Sequence, residues 1–125
     1  MNLSTLILLP LLLAGQDAPL PDTSGWHAFP GWGDGSNLAV DMSSVKVDGS
    51  KRSFRARIDK TGEDRFAVLT MVADCTAVTL QPTDGDRYEH GKFAGHRPAD
   101  PSHPMVMGAA EDPMVAKVVA LVCTG

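Results

Sequence analysis

Arg65-Phe66-Ala67-Val68-Leu69-Thr70-Met71-Val72-Ala73-Asp74-Cys75 is the most strand-like run of the chain outside its N-terminus. Alternate residues divide it cleanly, with Ala67, Leu69, Met71, Ala73 and Cys75 on one side and Phe66, Val68, Thr70, Val72 and Asp74 on the other. A period of two therefore gives one wholly apolar face and one mixed face, which is how a strand inside a sheet reads. The rest of the mature chain is expected to pack around it.

The segment before it alternates just as well. From Lys51 to Lys60, Phe54, Ala56 and Ile58 share one parity and Arg55, Arg57 and Asp59 the other. Lys60 to Asp64 turns this strand into the next, and Asp48-Gly49 ahead of it has the chemistry of a hairpin turn. Leu38 to Asp41 and Ser43 to Asp48 read as further strand pieces. Trp26 to Phe29 reads as a short first strand, and the glycine-rich remainder as a loop ending near Asn37. That loop is no phosphate cradle, because no buried strand precedes it and no helix follows. On the other side, Ala77 to Gln81 is expected as a strand, and Pro82-Thr83-Asp84-Gly85-Asp86 as its end.

Lys51, Arg52, Arg55, Arg57 and Lys60 form the basic stretch of an otherwise acidic chain. Lys51, Arg55 and Arg57 share one strand face, with neighbours in such a row about 7 Å apart. The row suits an anionic glycan or an acidic protein patch. It equally suits a solvated face whose charges discourage edge pairing.

Between Arg87 and Met107 the apolar alternation disappears. His90, His96 and His103 fall in this stretch, and Pro98, Pro101 and Pro104 recur every third residue. Zinc ligands usually sit at tighter spacing or on one face of an element, so these read as surface histidines on an extended spacer. The last element starts at Asp112-Pro113, an acidic N-cap followed by proline at the first helical position. Met114, Val115, Val118, Leu121 and Val122 then form an apolar stripe, and Lys117 marks the outer side of the helix. Lying across the sheet, this helix would deliver Cys123 to Cys75.

Residues 1–15 contain no charged side chain and carry an apolar run shorter than the ~20 residues a spanning helix needs, which reads as a secretory signal peptide. Residues 16–24, rich in Pro and Asp, read as a flexible leader, and residues 25–125 as the folded domain. Gln16 stands where a lipidated cysteine would have to be, so export without a lipid anchor is expected, to the periplasm or the extracellular space. In those oxidising compartments the two cysteines are most simply one disulfide. The loop it closes, about 49 residues, is worth roughly 4 kcal/mol in the chain-entropy model. A metal-binding or reactive thiol pair would need a closer spacing. A chain of 125 residues with 43% hydrophobic and 21% charged residues bounds the rest to one small domain, and its net charge of −4 argues against nucleic acid as a partner. No stable membrane span is expected once the signal is removed, and no cofactor is implied. The fold class that follows is α+β, mainly β, with one disulfide.

Trp26, the pairs Val40-Asp41 and Ser44-Val45, a turn at Gly49, Asp74-Cys75 closing a strand and a terminal helix ending in Cys123 resemble the bacterial surface-adhesin protein E family. The resemblance runs from about Trp26 to Cys123. It implies a small antiparallel sheet with the C-terminal helix packed on it by the disulfide, and a surface protein that binds host matrix proteins. This chain departs from the pattern in lacking the lipidation cysteine, and no stretch matches the adhesin's ligand-binding segments.

The nucleophile candidates are isolated Ser, Thr or Tyr88 with no base placed beside them by sequence, so the expectation is an exported, non-enzymatic interaction module. Its speculative contact residues are Lys51, Arg55 and Arg57. The alternatives are a structural or accessory envelope protein and, further off, a metal-binding protein or enzyme using His90, His96 and His103.

Overall fold

Strand alternation, a helix cap and a cross-link meet in one layer of sheet with a helix laid on it. In the computed structural model the described residues are 19–33 and 35–124. The expected signal peptide, residues 1–15, and the first part of the leader lie outside them. Six strands follow one another as an antiparallel meander: β1 (His27–Gly33), β2 (Ser36–Asp48), β3 (Lys51–Lys60), β4 (Arg65–Asp74), β5 (Thr79–Glu89) and β6 (Lys92–Arg97). A two-residue β7 (Met107–Gly108) pairs with the start of β5, and helix α1 (Pro113–Cys123) ends the chain. No described helix is long and apolar enough to cross a membrane.

The apolar parity read from the sequence is the face that the helix covers. Met71 and Ala73 of β4, Phe54 and Ala56 of β3, Leu38 and Val40 of β2, and Leu80 of β5 are buried with Val115, Val118, Val119 and Val122 of α1 in one cluster. Each of these side chains larger than alanine is worth about 1.5–3 kcal/mol when fully removed from water. The helix begins as its cap requires: the Asp112 carboxylate accepts from the Met114 N–H at 2.9 Å, and Pro113 fills the first turn. Lys117 is exposed, as its place off the valine stripe demands. At the far end Cys123 is bonded to Cys75 across 48 residues of sequence, so the last turn of the helix is tied to the end of β4.

Several strands differ from their expected extent: Ala77 and Val78, expected to begin β5, lie in the turn after β4, where Val78 has a positive φ, and the other differences lie at irregularities of register. β1 runs on through Pro30 to Gly33 instead of giving way to a loop, because Gly31 takes a left-handed φ of 75° and the strand resumes pairing with Gly33 opposite Ser36. β2 is one strand, not two pieces. Between Asp41 and Lys46 it bulges, and Ser44 Oγ accepts from the Arg55 N–H at 2.8 Å, supplying an acceptor at the irregularity. β5 does not end at Pro82. Leu69 pairs with Gly85 and Met71 with Pro82, so β5 carries one extra residue there, and Thr83 Oγ1 donates to the Thr70 carbonyl at 3.1 Å across the bulge. The expected loop from Arg87 to Met107 therefore contains the end of β5, all of β6, and the start of β7. His90 and Gly91, both with positive φ, turn β5 into β6.

The second face of the sheet is not bare. Phe66 stacks on Tyr88 at 5.0 Å between ring centroids, and Phe93 meets Tyr88 edge-on at 6.0 Å. Tyr88 is only 2% exposed. Its hydroxyl donates to the Pro19 carbonyl at 3.2 Å, and Arg57 donates to Thr23 Oγ1 at 3.2 Å, so the described part of the N-terminal leader lies against this face.

The disulfide holds an 11-residue helix on its sheet, and its removal is expected to be costly. A double variant, Cys75→Ala with Cys123→Ser, should lose about 2–4 kcal/mol of stability, read as a lower urea midpoint. A loss below about 0.5 kcal/mol, the scatter expected of ordinary surface changes, would mean that valine packing alone holds the helix.

Candidate functional site: a cleft under a proline-rich strap

Beyond Arg97 the chain leaves the sheet edge, crosses back over the first face and returns as β7. Residues 98–105 of this strap roof a cleft of about 570 Å³ beside the helix. The volume falls in the range of small-molecule sites, roughly 300–1,000 Å³. Its floor follows from register. The paired residues Leu69, Gly85 and Arg97 form one row of the first face, and Ala67, Arg87 and Gly95 the next. Pro82 continues the floor toward the helix, and Pro98, Pro101, Pro104 and Met105 supply the roof.

Each arginine of the floor stands opposite a glycine. The Arg87 guanidinium occupies the space above Gly95, where an added Cβ would sit 3.6 Å from Arg87 Nη2. Arg87 is held there by Glu89, which its Nε meets at 3.2 Å, and by the Ala94 carbonyl at 3.4 Å. Gly85 is required by close approach: an added Cβ would meet Leu69 Cβ at 2.9 Å and the Val68 carbonyl at 3.2 Å. Arg97 is exposed, and it has no side-chain hydrogen bond or ion pair to any of the described residues.

The strap shapes itself locally. Asp100 accepts from the Ser102 hydroxyl at 2.6 Å, from the Ser102 N–H at 3.1 Å, and meets His103 Nδ1 at 3.1 Å. These bonds, the Ser102 hydroxyl first, hold the Asp100 carboxyl below the ordinary carboxylate range. The three prolines around them limit the backbone further.

The three histidines do not converge. His90 pairs with Asp64 at 3.2 Å, His96 with Asp86 at 2.7 Å and His103 with Asp100 at 3.1 Å, and among the described residues no group of three or more potential metal ligands comes together. Of the basic row, Lys51 and Arg55 are exposed, and the Arg55 guanidinium lies 5.4 Å from the Trp26 ring centre. Arg57 is used inside the fold: it sits 3.8 Å over the Phe66 ring, meets Asp59 at 3.7 Å and binds Thr23. The row is thus on one face, as period two demands, but its members are not equivalent. Cys75 and Cys123 are joined, and Cys75 closes β4 with its N–H donating to the Ser50 carbonyl at 2.8 Å.

Arg87, Arg97 and the cleft itself were not found from the sequence. The signal was faint: Arg87, Gly95 and Arg97 lie in a stretch whose apolar alternation is broken by two bulges and whose floor depends on pairing across three strands. Compared with known proteins, the chain matches no family model, no curated protein and no solved structure.

Separate pairing predicts weak metal binding. Calorimetry at neutral pH should show no zinc site tighter than roughly micromolar, since a structural zinc site is worth far more than that. A stoichiometric nanomolar site lost in His96→Ala or His103→Ala would mean that the strap rearranges around metal.

Proposed function

We propose that the chain is an exported, non-enzymatic binding module that holds a small ligand between its sheet and the proline-rich strap. The observation that carries this reading is the cleft, whose lining is mostly apolar and includes Arg87 and Arg97 together with Asp86 and Asp100. Such a lining recognises: it offers area to an apolar body and a charge to orient it. The Cys75–Cys123 bond supports an oxidising compartment. An antiparallel sheet with a cross-linked C-terminal helix is also what a likeness to the surface-adhesin protein E family would imply, and membership of that group is part of the proposal.

The fluorescent probe 1-anilinonaphthalene-8-sulfonate, apolar and anionic, tests the cleft. The wild-type protein should bind it saturably at one site, and Ala67→Trp, which fills the floor with a residue suited to a strand, should remove at least nine-tenths of the signal with unchanged circular dichroism. Equal binding by both proteins would place the ligand elsewhere.

An adhesive reading is favoured by a different observation, the exposure of Lys51 and Arg55 on the second face. An anionic glycan or an acidic protein would be the partner. Lys51→Glu with Arg55→Glu should then abolish retention on heparin at low salt, while the melting temperature stays within a few degrees, because exposed charges contribute little to stability. Arg57 is unsuited to this test, since its contacts with Phe66 and Thr23 belong to the fold. If the wild-type chain flows through heparin at low ionic strength, where the Debye length is about 30 Å, the row is a solvated face.

A further inference from the structure

The cleft has two unlike ends. Along β5 its lining runs from Gln81 and Pro82, next to the part of β5 that pairs with β7 and so on the side where Met105 leads into β7, to Gly85 and Arg87, opposite Arg97 and Gly95. At the rise of an extended strand that is about 20 Å. The first end is apolar: Pro82 forms the floor, Pro104 and Met105 the roof, and Met105 remains 62% exposed although it borders a cavity. The second end is cationic. We propose that the cleft takes a monocarboxylate with an unbranched apolar chain, its head group on Arg97 and its chain running along β5 toward Met105.

Charge pairing selects the head group. Of the acids near the cleft, Glu89 is ion-paired with Arg87, whereas Asp86 and Asp100 line it and are hydrogen-bonded, Asp86 to His96 and Asp100 to His103 and Ser102. Arg97 is the cation at the cleft left without a partner among the described residues. One unsatisfied guanidinium matches one singly charged, planar acceptor, and a carboxylate meets its fork with two parallel hydrogen bonds. A dianion would bring a second charge with no cation left to meet it. Gly85, directly opposite Arg97, has no side chain to block the approach, and substitution there is opposed by Leu69. Arg87, fixed by Glu89 over Gly95, borders the head group without competing for it.

The chain end is selected by shape and polarity. Pro82 lies between the part of β5 that pairs with β7 and the part that pairs with β6, and it offers no N–H there. A peptide laid along this edge would find a gap in its hydrogen-bond ladder. A hydrocarbon chain asks for none.

This inference rests on the cleft being the binding site, and the experiment separates the two. The oxidised chain, labelled with nitrogen-15, is titrated below micelle concentrations with octanoate, decanoate, dodecanoate and decanol. The amides of Ala67, Gly85, Gly95 and Met105 should shift, and affinity should rise about fourfold for each methylene added. Decanoate should bind at least tenfold tighter than decanol. Arg97→Gln should erase that preference while leaving decanol within twofold of wild type, and Arg97→Lys should restore part of it. Equal affinities of decanoate and decanol for the wild-type protein would overturn the carboxylate assignment while the shifted amides uphold the cleft. So would tighter binding of an acidic, apolar hexapeptide at the same amides. Shifts confined to other residues, or no binding of any of these probes, would overturn the assignment together with the cleft reading.

Discussion

One sheet has two faces, and the described residues supply one helix to cover them. At 1.5 Å per residue an 11-residue helix is about 16 Å long, less than the length of β2 or β5. Its four buried valines share one cluster with Met71, Ala73, Leu80 and their neighbours. The remaining surface of the same face, over Ala67, Leu69, Gly85 and Arg87, is met by the strap from 98 to 105. The opposite face is met by residues 19–26, through the Tyr88 hydroxyl, Arg57 and Arg55. Irregular backbone thus does the covering that a second helix would do in a larger domain. Irregular covers pack less completely than helices, and the incomplete fit over the first face is the cleft.

The disulfide belongs to the same constraint. A helix resting on a partial face gains only part of the burial that usually holds one in place, and Cys123 ties down its free end. At the other end Asp112 caps the helix, and just ahead of it the Ala109 N–H donates to the Val78 carbonyl at 3.1 Å, tying the approach to the helix to the turn after β4. Val78 itself has a left-handed φ of 55°, unusual for a branched residue. Its carbonyl is held by Ala109 and its N–H by the Asp74 carbonyl at 2.8 Å, so β4, β7 and α1 meet at one fixed corner.

What could be read from the sequence was whatever is decided locally. β3 appeared with its observed limits, because Lys51 to Lys60 alternates without a fault and Gly49 supplies the turn before it. The helix appeared because its start signal, Asp112-Pro113, is local too. β5 beyond Pro82 and all of β6 stayed hidden. The extra residue near Thr83 and another near Ala94 each reverse the parity, and Pro82 and Gly85 look like turn residues until β4 is placed beside them. The covalent pair was legible from the cysteine number together with the expectation of export. The cleft was not, because it exists only between a register across three strands and a strap that leaves the sheet. The basic row shows the middle case: its common face was legible, whereas the burial of Arg57 under Thr23 and over Phe66 required the fold.

The bulge at Thr83 has a consequence for how such a site changes over generations. Were β5 to pair straight past Pro82 with its length unchanged, its even-numbered positions would stay on the helix side, and Tyr88 would exchange sides with Arg87. The phenol now buried at 2% beneath the N-terminal segment would enter the cleft, and the guanidinium would leave it. Losing one codon at this point would instead leave Gly85 opposite Leu69 and Arg87 opposite Ala67, so the bulge absorbs a change of length that would otherwise turn the lining over. The lining can therefore be inherited intact through the gain or loss of one residue, provided the change falls at this irregular position.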